Sequence, residues 1–473
     1  MTINKKEILT VLEEGIFKTI KNTSHELNID SYVVGGFVRD YILNKEIVKD
    51  IDILCIGSGI NFAINVQNSI DSTKKINIYK RFGTAMLKWK DFTVEFVGAR
   101  KESYSEDSRK PEVKAGTFLD DMNRRDFTIN TLAISLNKEN YGELIDTFNG
   151  IGDLNKGIIK TPTDPDKTFS DDPLRMLRAV RFSSQLNYKI ERNTFESIKR
   201  NINRIEILSE ERISEELNKI LMQDKPSNGF ILLDKLNILK IILPEFESLK
   251  GIEEIEGQTH KDNFYHTLEV VDNISSKTNN IWLRWAALLH DIGKSSTKKF
   301  NKEIGWTFHG HEFIGSKMVK QIFNRLKLPL NESMKYVQKI VMMSSRPVII
   351  AEEIVTDSAV RRLIYDAGNS IDDLLTLCEA DITTKNKRKF EQYHTNFKIV
   401  REKIKKVEKK DNIRNFQPPV TGEIIMKHFK IGPCKEVGII KDEIKNAILD
   451  GEIENDYKSA FNLMKIKGKF LGF

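Results

Sequence analysis

The sequence predicts an α+β protein, with a small mixed sheet in its N-terminal part and an all-α body behind it. Three observations carry that reading. To about residue 150, short apolar runs rich in β-branched residues alternate with helical stretches. From about residue 165 the apolar residues recur at the 3.6-residue helical period. Between the first two strand-like runs stands Gly35-Gly36, and Asp50-Ile51-Asp52 follows on the second. At 473 residues the chain is too long for one ordinary core. Shifts in pattern place the expected domains at 1–150, 151–250, 251–385 and 386–473.

Composition narrows the classes. A formal net charge of +7 favours a polyanionic partner without the density of a histone-like polycation. The three cysteines, Cys55, Cys378 and Cys434, lie far apart with no C-x-x-C pair. That argues against a disulfide framework or zinc ribbon and suits a reducing cytoplasm. No apolar run nears membrane-spanning length and the N-terminus lacks an apolar signal core, so a soluble cytoplasmic protein with no membrane partner is expected.

Taken in order, Tyr32–Val34 reads as a strand, Val38–Leu43 as a helix and Asp50–Ile56 as the next strand. Gly35 and Gly36 let backbone N–H groups approach phosphate closely, with Arg39 just behind them. Asp50 and Asp52, two apart on a strand, face the same side. Two adjacent hard oxygen ligands suit Mg²⁺, which takes one or two carboxylates plus substrate phosphates. Alone, a D-x-D is most often two solvated acids and a Gly-Gly a turn; the order of the pieces gives them weight. Ala85–Lys88 and Thr93–Val97 read as further strands of the same sheet. Glu95 on the latter is a candidate third carboxylate, with a structural ion pair as the equal alternative. The polar, aperiodic stretch 100–113 reads as a mobile surface loop.

In Arg124-Arg125-Asp126-Phe127-Thr128-Ile129-Asn130, two arginines can grip phosphate oxygens in bidentate fashion. On a helical face, Asp126 and Asn130 would fix sugar hydroxyls or brace those arginines. A surface ion pair at a helix start is the bland alternative. Farther on, Pro173 opens a helix behind Asp171 and Asp172, and Arg175 lies three residues past Asp172 on the same face. A carboxylate beside a guanidinium matches the Watson–Crick edge of cytosine or adenine, an amine next to a ring-nitrogen acceptor. Uracil and guanine oppose it with a carbonyl, a mismatch of about 1–3 kcal/mol when buried. A capping acid with an i, i+3 ion pair is the alternative here. Arg178 and Arg181 either reach phosphate or bridge within the helical part. Further helices are expected over Phe195–Arg200, Glu211–Met222 and Ile231–Leu239. Glu211-Arg212-Ile213-Ser214-Glu215-Glu216 reads as a structural acid–arginine network.

These four motifs, in this order over residues 30 to about 225, resemble those of the bacterial class II polymerase-β-like nucleotidyltransferases, the CCA-adding enzymes and bacterial poly(A) polymerases. The resemblance implies a polymerase-β-like nucleotidyltransferase head. It implies addition of C and A from CTP and ATP to the 3′ end of tRNA without a nucleic-acid template. Asp50 and Asp52 would hold Mg²⁺ for a two-metal transfer, and Gly35, Gly36 and Arg39 would cradle the triphosphate. Arg124, Arg125, Asp126 and Asn130 would bind ribose and phosphates, and Asp172 with Arg175 would choose the base. Asp171 stands where the family's E-D-x-x-R motif usually has Glu. The 100–113 stretch would assist the change from C to A.

A second resemblance lies beyond residue 250. His266, His290-Asp291 and Asp381, with Leu288–Lys294 around the pair, resemble the core of the HD-domain phosphohydrolases, and His309-Gly310-His311-Glu312 fits the same pattern. Five of the 8 histidines fall between His260 and His311. The resemblance implies a transition metal at His266, His290, Asp291 and Asp381 that could activate water. Met343-Ser344-Ser345-Arg346-Pro347 lacks the histidine many such domains carry there, which implies a mononuclear or weak site. Pro419-Val420-Thr421-Gly422 and the stretch from Gly432-Pro433 to Gly451-Glu452-Ile453 are similar to the extension of class II enzymes. Lys385–Arg414 sets twelve Lys/Arg against four Asp/Glu, as an RNA contact or a solvated face. The rivals are a poly(A) polymerase, a CC- or A-adding enzyme and, from another class, an HD-domain phosphohydrolase whose first half only binds nucleotide or RNA. The HD-like module argues against the poly(A) polymerase and the presence of both Asp50 and Asp52 against the last of these, the motifs do not exclude a partial-CCA enzyme, and the oligomeric state stays open.

Overall fold

A computed structural model of the chain describes residues 5–13, 15–44, 49–71, 75–105, 108–347, 356–384, 386–411, 414 and 416–473. It forms two compact units: Met1–Ile220 with Asn228–Ile242, and Leu221–Ser227 with Leu243–Phe473.

The first unit is built on a seven-stranded sheet. Its strands are β1 (Ser31–Val34), β2 (Asp50–Cys55), β3 (Ile76–Tyr79), β4 (Thr84–Trp89), β5 (Phe92–Gly98), β8 (Ala133–Ser135) and β9 (Leu144–Ile145), with β6 (Arg100–Ser105) and β7 (Ser108–Ala115) standing apart. The spatial order is β3-β4-β5-β2-β1-β8-β9. Only β2 and β5 run parallel; every other pair is antiparallel. β1 is buried at all four residues, as a central strand of Ser-Tyr-Val-Val should be. Helices Gly36–Asn44 and Gly59–Ile70 pack on the sheet, with Phe62 edge-on to Phe96 at 5.6 Å. β8 and β9, three and two residues long, are too short to show the alternation that marks a strand in sequence.

Two local expectations are corrected. The stretch read as a loop at 100–113 is a separate hairpin, β6 (Arg100–Ser105) with β7 (Ser108–Ala115), paired from Arg100–Ala115 to Ser105–Ser108. Residues 106 and 107 lie outside the described residues. Its ladder is made by backbone groups and needs no apolar period. The helix expected over Ile231–Leu239 is two, Pro226–Lys235 and Ile238–Ile242, broken at Asn237 with φ 59°. Asparagine tolerates that left-handed turn better than most residues. Helices Leu174–Leu186, Arg192–Asn201 and Glu210–Leu221 stand where helical periods put them.

The second unit is mainly helical, but not purely so. Two short ribbons, Glu254–Ile255 with Gln258–Thr259 and Lys299–Asn301 with Gly305–Thr307, interrupt the expected all-α body. Each is two or three residues per strand, again below sequence legibility. Buried Arg284 donates to the carbonyls of Leu221 (2.9 Å), Gln223 (2.7 Å), Ser275 (2.9 Å) and Thr278 (3.0 Å). The basic stretch is one helix, Lys387–Asp411; Lys385, Asn412 and Ile413 lie outside the described residues. Several of its cations are paired, Arg401 with Glu379 at 2.6 Å and Lys403 with Asp357 at 3.3 Å. The cysteines are free, Cys55 and Cys378 buried and Cys434 exposed. Among the described residues no helix is long and apolar enough to cross a membrane.

Candidate active site

A cleft of about 510 Å³ in the first unit gathers side chains from all four N-terminal motifs. Gly35 sits at the end of β1 with φ +77°, a backbone state that L side chains rarely adopt. A Cβ there would also lie 3.0 Å from Arg125 Nη1 and 3.5 Å from Asp52 Oδ2. Glycine is therefore required twice over, by the turn and by the close approach.

Arg39, one turn into the following helix, is buried to 4 % exposure. Its Nε and Nη2 donate to Asp40 at 2.7 and 2.9 Å, and its Nη1 donates to Asn130 Oδ1 at 2.7 Å. Asn130 in turn donates to Asp126 Oδ1 at 2.9 Å. The Arg124–Asn130 segment is not the continuous helical face expected from its spacing. Helix Phe118–Asn123 ends before it, and a 3-10 turn at Thr128–Asn130 brings Asn130 back to Asp126.

The arginines are braced by a residue the motif reading overlooked. Asp121 is fully buried and takes Arg124 on Oδ1, with Nε at 2.8 Å, and Arg125 on Oδ2, with Nη2 at 3.2 Å. The signal was in the sequence, since an acid at i−3 and i−4 from the two arginines lies on their helical face. Asp126 instead pairs with Arg178, whose Nη2 approaches Oδ2 to 2.6 Å. Burial alone would raise the Asp126 carboxyl, but Arg178 and the Asn130 amide outweigh it and hold it at about 2.

Helix Leu174–Leu186 supplies the cleft's other wall. Asp172 accepts from the Leu174 N–H at 3.2 Å, so it caps as well as lines the cleft. Arg175 is buried, with Nη2 donating to the Arg124 carbonyl at 2.5 Å, which ties the helix to the Arg124-Arg125 turn. Arg181 is held by buried Glu216, Nε to Oε2 at 2.6 Å, the ion pair expected of the acid–arginine motif. Arg212 lines the same cleft.

Asp52 faces into the cleft, whereas Asp50 is the exposed first residue of β2. Glu95 is the register partner of Asp52 on parallel β5, so the two project from the same face. Burial raises the Asp52 carboxyl to about 6, with Glu95 and Asp50 adding to the rise and Arg125 opposing it. A half-buried acid beside two further carboxylates favours a divalent cation, so these residues fit a metal ion.

The second unit carries its own cluster. Among the described residues, only His266, His290 and Asp381 form a set of three whose ligand atoms lie within 4.8 Å of one another. His266 Nε2 is 2.9 Å from Asp381 Oδ1, and His290 Nε2 lies 3.4 Å from Asp291 Oδ2 and 3.6 Å from Asp381 Oδ1. His290 Nδ1–H donates to the Ala287 carbonyl at 2.8 Å, which leaves Nε2 for a metal. Burial would lower its pKa, but Asp291 and Asp381 overcome that and push it to about 10. The carboxylates thus favour positive charge at this imidazole, as a proton or a metal ion. Asp291 is also held by Lys294 at 2.6 Å and faces His311 Nε2 at 3.5 Å. The fit to a metal is good for His266, His290 and Asp381, with Asp291 shared between metal site and lysine.

Comparison with known proteins bears on both sites. Residues 31–160 match the poly A polymerase head domain, 187–250 the probable RNA and SrmB-binding site of polymerase A, and 263–383 the HD domain. The A-adding tRNA nucleotidyltransferase of Aquifex aeolicus is 32% identical over 61% of this chain, yet the match spans only 35% of that relative. The multifunctional CCA protein of Shewanella frigidimarina is 31% identical over 63% of this chain and 70% of its own length. Two solved structures share the fold: a CCA-adding enzyme in apo form (TM-score 0.64, 23% identity, 99% of this chain and 100% of that one) and the Thermotoga maritima CCA-adding enzyme complexed with tRNA (0.61, 21%, 98% of each). On its motifs, its fold and these matches, the chain belongs to the tRNA nucleotidyltransferase and poly(A) polymerase family.

Proposed function

We propose that this chain is a CCA-adding tRNA nucleotidyltransferase, working in the cytoplasm on tRNA with CTP and ATP. The observation that carries the reading is the single cleft that joins Gly35, Arg39, Asp52, Arg125, Asn130, Asp172 and Arg175. Gly36 offers its backbone N–H at the turn, the Gly35 N–H being taken by the Leu132 carbonyl at 3.1 Å, and Arg39, Arg124 and Arg125 bind the phosphates. Asp126 and Asn130 set Arg178 and Arg39 and face the sugar. Asp172 and Arg175 read the base by its amine and ring nitrogen, which favours C and A over U and G. Asp50 and Asp52, with Glu95 behind, would hold Mg²⁺. When bound, Mg²⁺ activates the attacking 3′-hydroxyl and stabilises the departing pyrophosphate.

The four parts 1–150, 151–250, 251–385 and 386–473 would serve as catalytic head, base-selecting neck, HD domain and basic RNA-binding region. In the HD domain, His266, His290, Asp291 and Asp381 would hold a transition metal and support phosphohydrolysis. A second reading for the head is A-addition alone, favoured because the Aquifex relative is an A-adding enzyme. Extension of three tRNA transcripts, ending before, within and one residue short of CCA, separates these. Complete CCA that then stops is the expected product with Mg²⁺, CTP and ATP. Only A on the shortened end means an A-adding enzyme, long A-tails a poly(A) polymerase, and no incorporation on any transcript removes the reading.

A further inference from the structure

Three guanidinium groups of the cleft converge on one aromatic ring. The Cζ atoms of Arg181, Arg39 and Arg178 lie 4.0, 4.8 and 5.3 Å from the Phe182 ring centroid. The ring lines the cleft, is 4 % exposed, and is fixed by an edge contact with Phe127 at 6.0 Å and 82°. Phe127 belongs to the Arg124–Asn130 segment and is itself fully buried.

Each of the three arginines is also held by an acid: Arg39 by Asp40 at 2.7 Å, Arg178 by Asp126 at 2.6 Å and Arg181 by Glu216 at 2.6 Å. A carboxylate holds a guanidinium by its edge and consumes N–H donors in doing so. An aromatic face attracts the cation through its quadrupole and consumes none. It also draws together three like charges that would otherwise repel. The ring thus holds the guanidinium groups without taking up any of their N–H donors, even though Arg39 also donates to Asn130 at 2.7 Å and Arg181 to Gln185 at 3.2 Å.

We propose that Phe182 is a positioning residue for nucleotidyl transfer, an aromatic platform that holds Arg39, Arg178 and Arg181 in place for the triphosphate and for departing pyrophosphate. This rests on the nucleotidyltransferase reading above. Its consequence is specific: the ring acts on phosphate binding, which CTP, ATP and pyrophosphate share, and not on the base.

The test replaces Phe182 in the full chain with phenylalanines carrying one, three and five ring fluorines, which keep the shape and progressively remove the negative face. Pyrophosphate affinity is expected to fall stepwise to about tenfold (about 1.4 kcal/mol) at five fluorines. KM for CTP and for ATP should rise by matching factors, with kcat changing less and the melting temperature unmoved. Phe182→Leu is expected to lose affinity in the same direction, and Phe182→Tyr to lose less than Phe182→Leu. A flat fluorine series, or a rise in KM for one nucleotide only, overturns the proposal. If the wild-type chain adds no nucleotide to any tRNA transcript, the functional reading itself falls. Normal wild-type addition with a flat series removes the role of Phe182 alone.

Discussion

Replacing Asp52 with asparagine should stabilise the metal-free protein at neutral pH. The carboxyl is lifted from its ordinary 3.8 to about 6, chiefly by burial, net of the attraction of Arg125. The unfolded chain ionises that group near 3.8, so the native state binds more protons between the two values. Ionisation of Asp52 therefore works against folding above about pH 6, fades as pH falls towards 4 and is absent below that. Its size is roughly 3 kcal/mol. In a unit of this size that is a rise of roughly 6–12 °C in the melting temperature of Asp52→Asn over wild type, in chelator at pH 7.5. The assay is a thermal melt of both proteins with chelator or excess Mg²⁺, repeated at pH 7.5, 6 and 5. Mg²⁺ should raise the melting temperature of wild type and leave the variant unmoved. A variant that melts at or below wild type in chelator at pH 7.5, or a gain that persists undiminished at pH 5, refutes the reasoning.

Further outcomes follow from neighbouring groups. Gly35→Ala must strain a φ of +77° and crowd Arg125 Nη1 at 3.0 Å, so nucleotide incorporation should fall at least tenfold in a transcript-extension assay. Asp121→Asn removes the charge that holds Arg124 and Arg125; KM for both CTP and ATP should rise roughly 10- to 100-fold, with a stability loss of about 3 kcal/mol by denaturant titration. Arg175→Ala and Asp172→Ala should narrow the preference for CTP and ATP over UTP and GTP, read by single-nucleotide incorporation with each of the four. His290→Ala should lower the transition-metal content of the purified full chain, measured by elemental analysis, while incorporation by the head continues.

The parts legible in sequence share a trait: their chemistry repeats over a span longer than the feature itself. Gly35-Gly36 between two strands, and Asp50 with Asp52 on one of them, are fixed by local geometry and appear where spacing puts them. The helices from Leu174 onward follow from their period. What was not legible depends on partners far away in sequence. Asp126 meets Arg178, 52 residues on, rather than the adjacent arginines, because the chain turns at Thr128–Asn130 instead of continuing as a helix. The β6–β7 ribbon is a backbone ladder, and the polar, aperiodic sequence of 100–113 carries no strand alternation to announce it. Asp121 is legible by its spacing to the two arginines although it precedes the motif.

The four carbonyls gathered by Arg284 bear on how the chain matures during synthesis. Two of them, on Leu221 and Gln223, emerge some 60 residues before the arginine that binds them. The stretch Asn228–Ile242, which rejoins the first unit, follows them directly. On the ribosome the N-terminal unit can therefore close on Asn228–Ile242 while Leu221–Ser227 waits, its carbonyls in water, for helix Ile281–Leu289 to be made. A gene cut at residue 243 would separate Arg284 from both, leaving a buried cation short of acceptors. The chain thus enters the second unit for seven residues, Leu221–Ser227, before returning to the first, and recombination at residue 243 would yield a second half that folds poorly on its own.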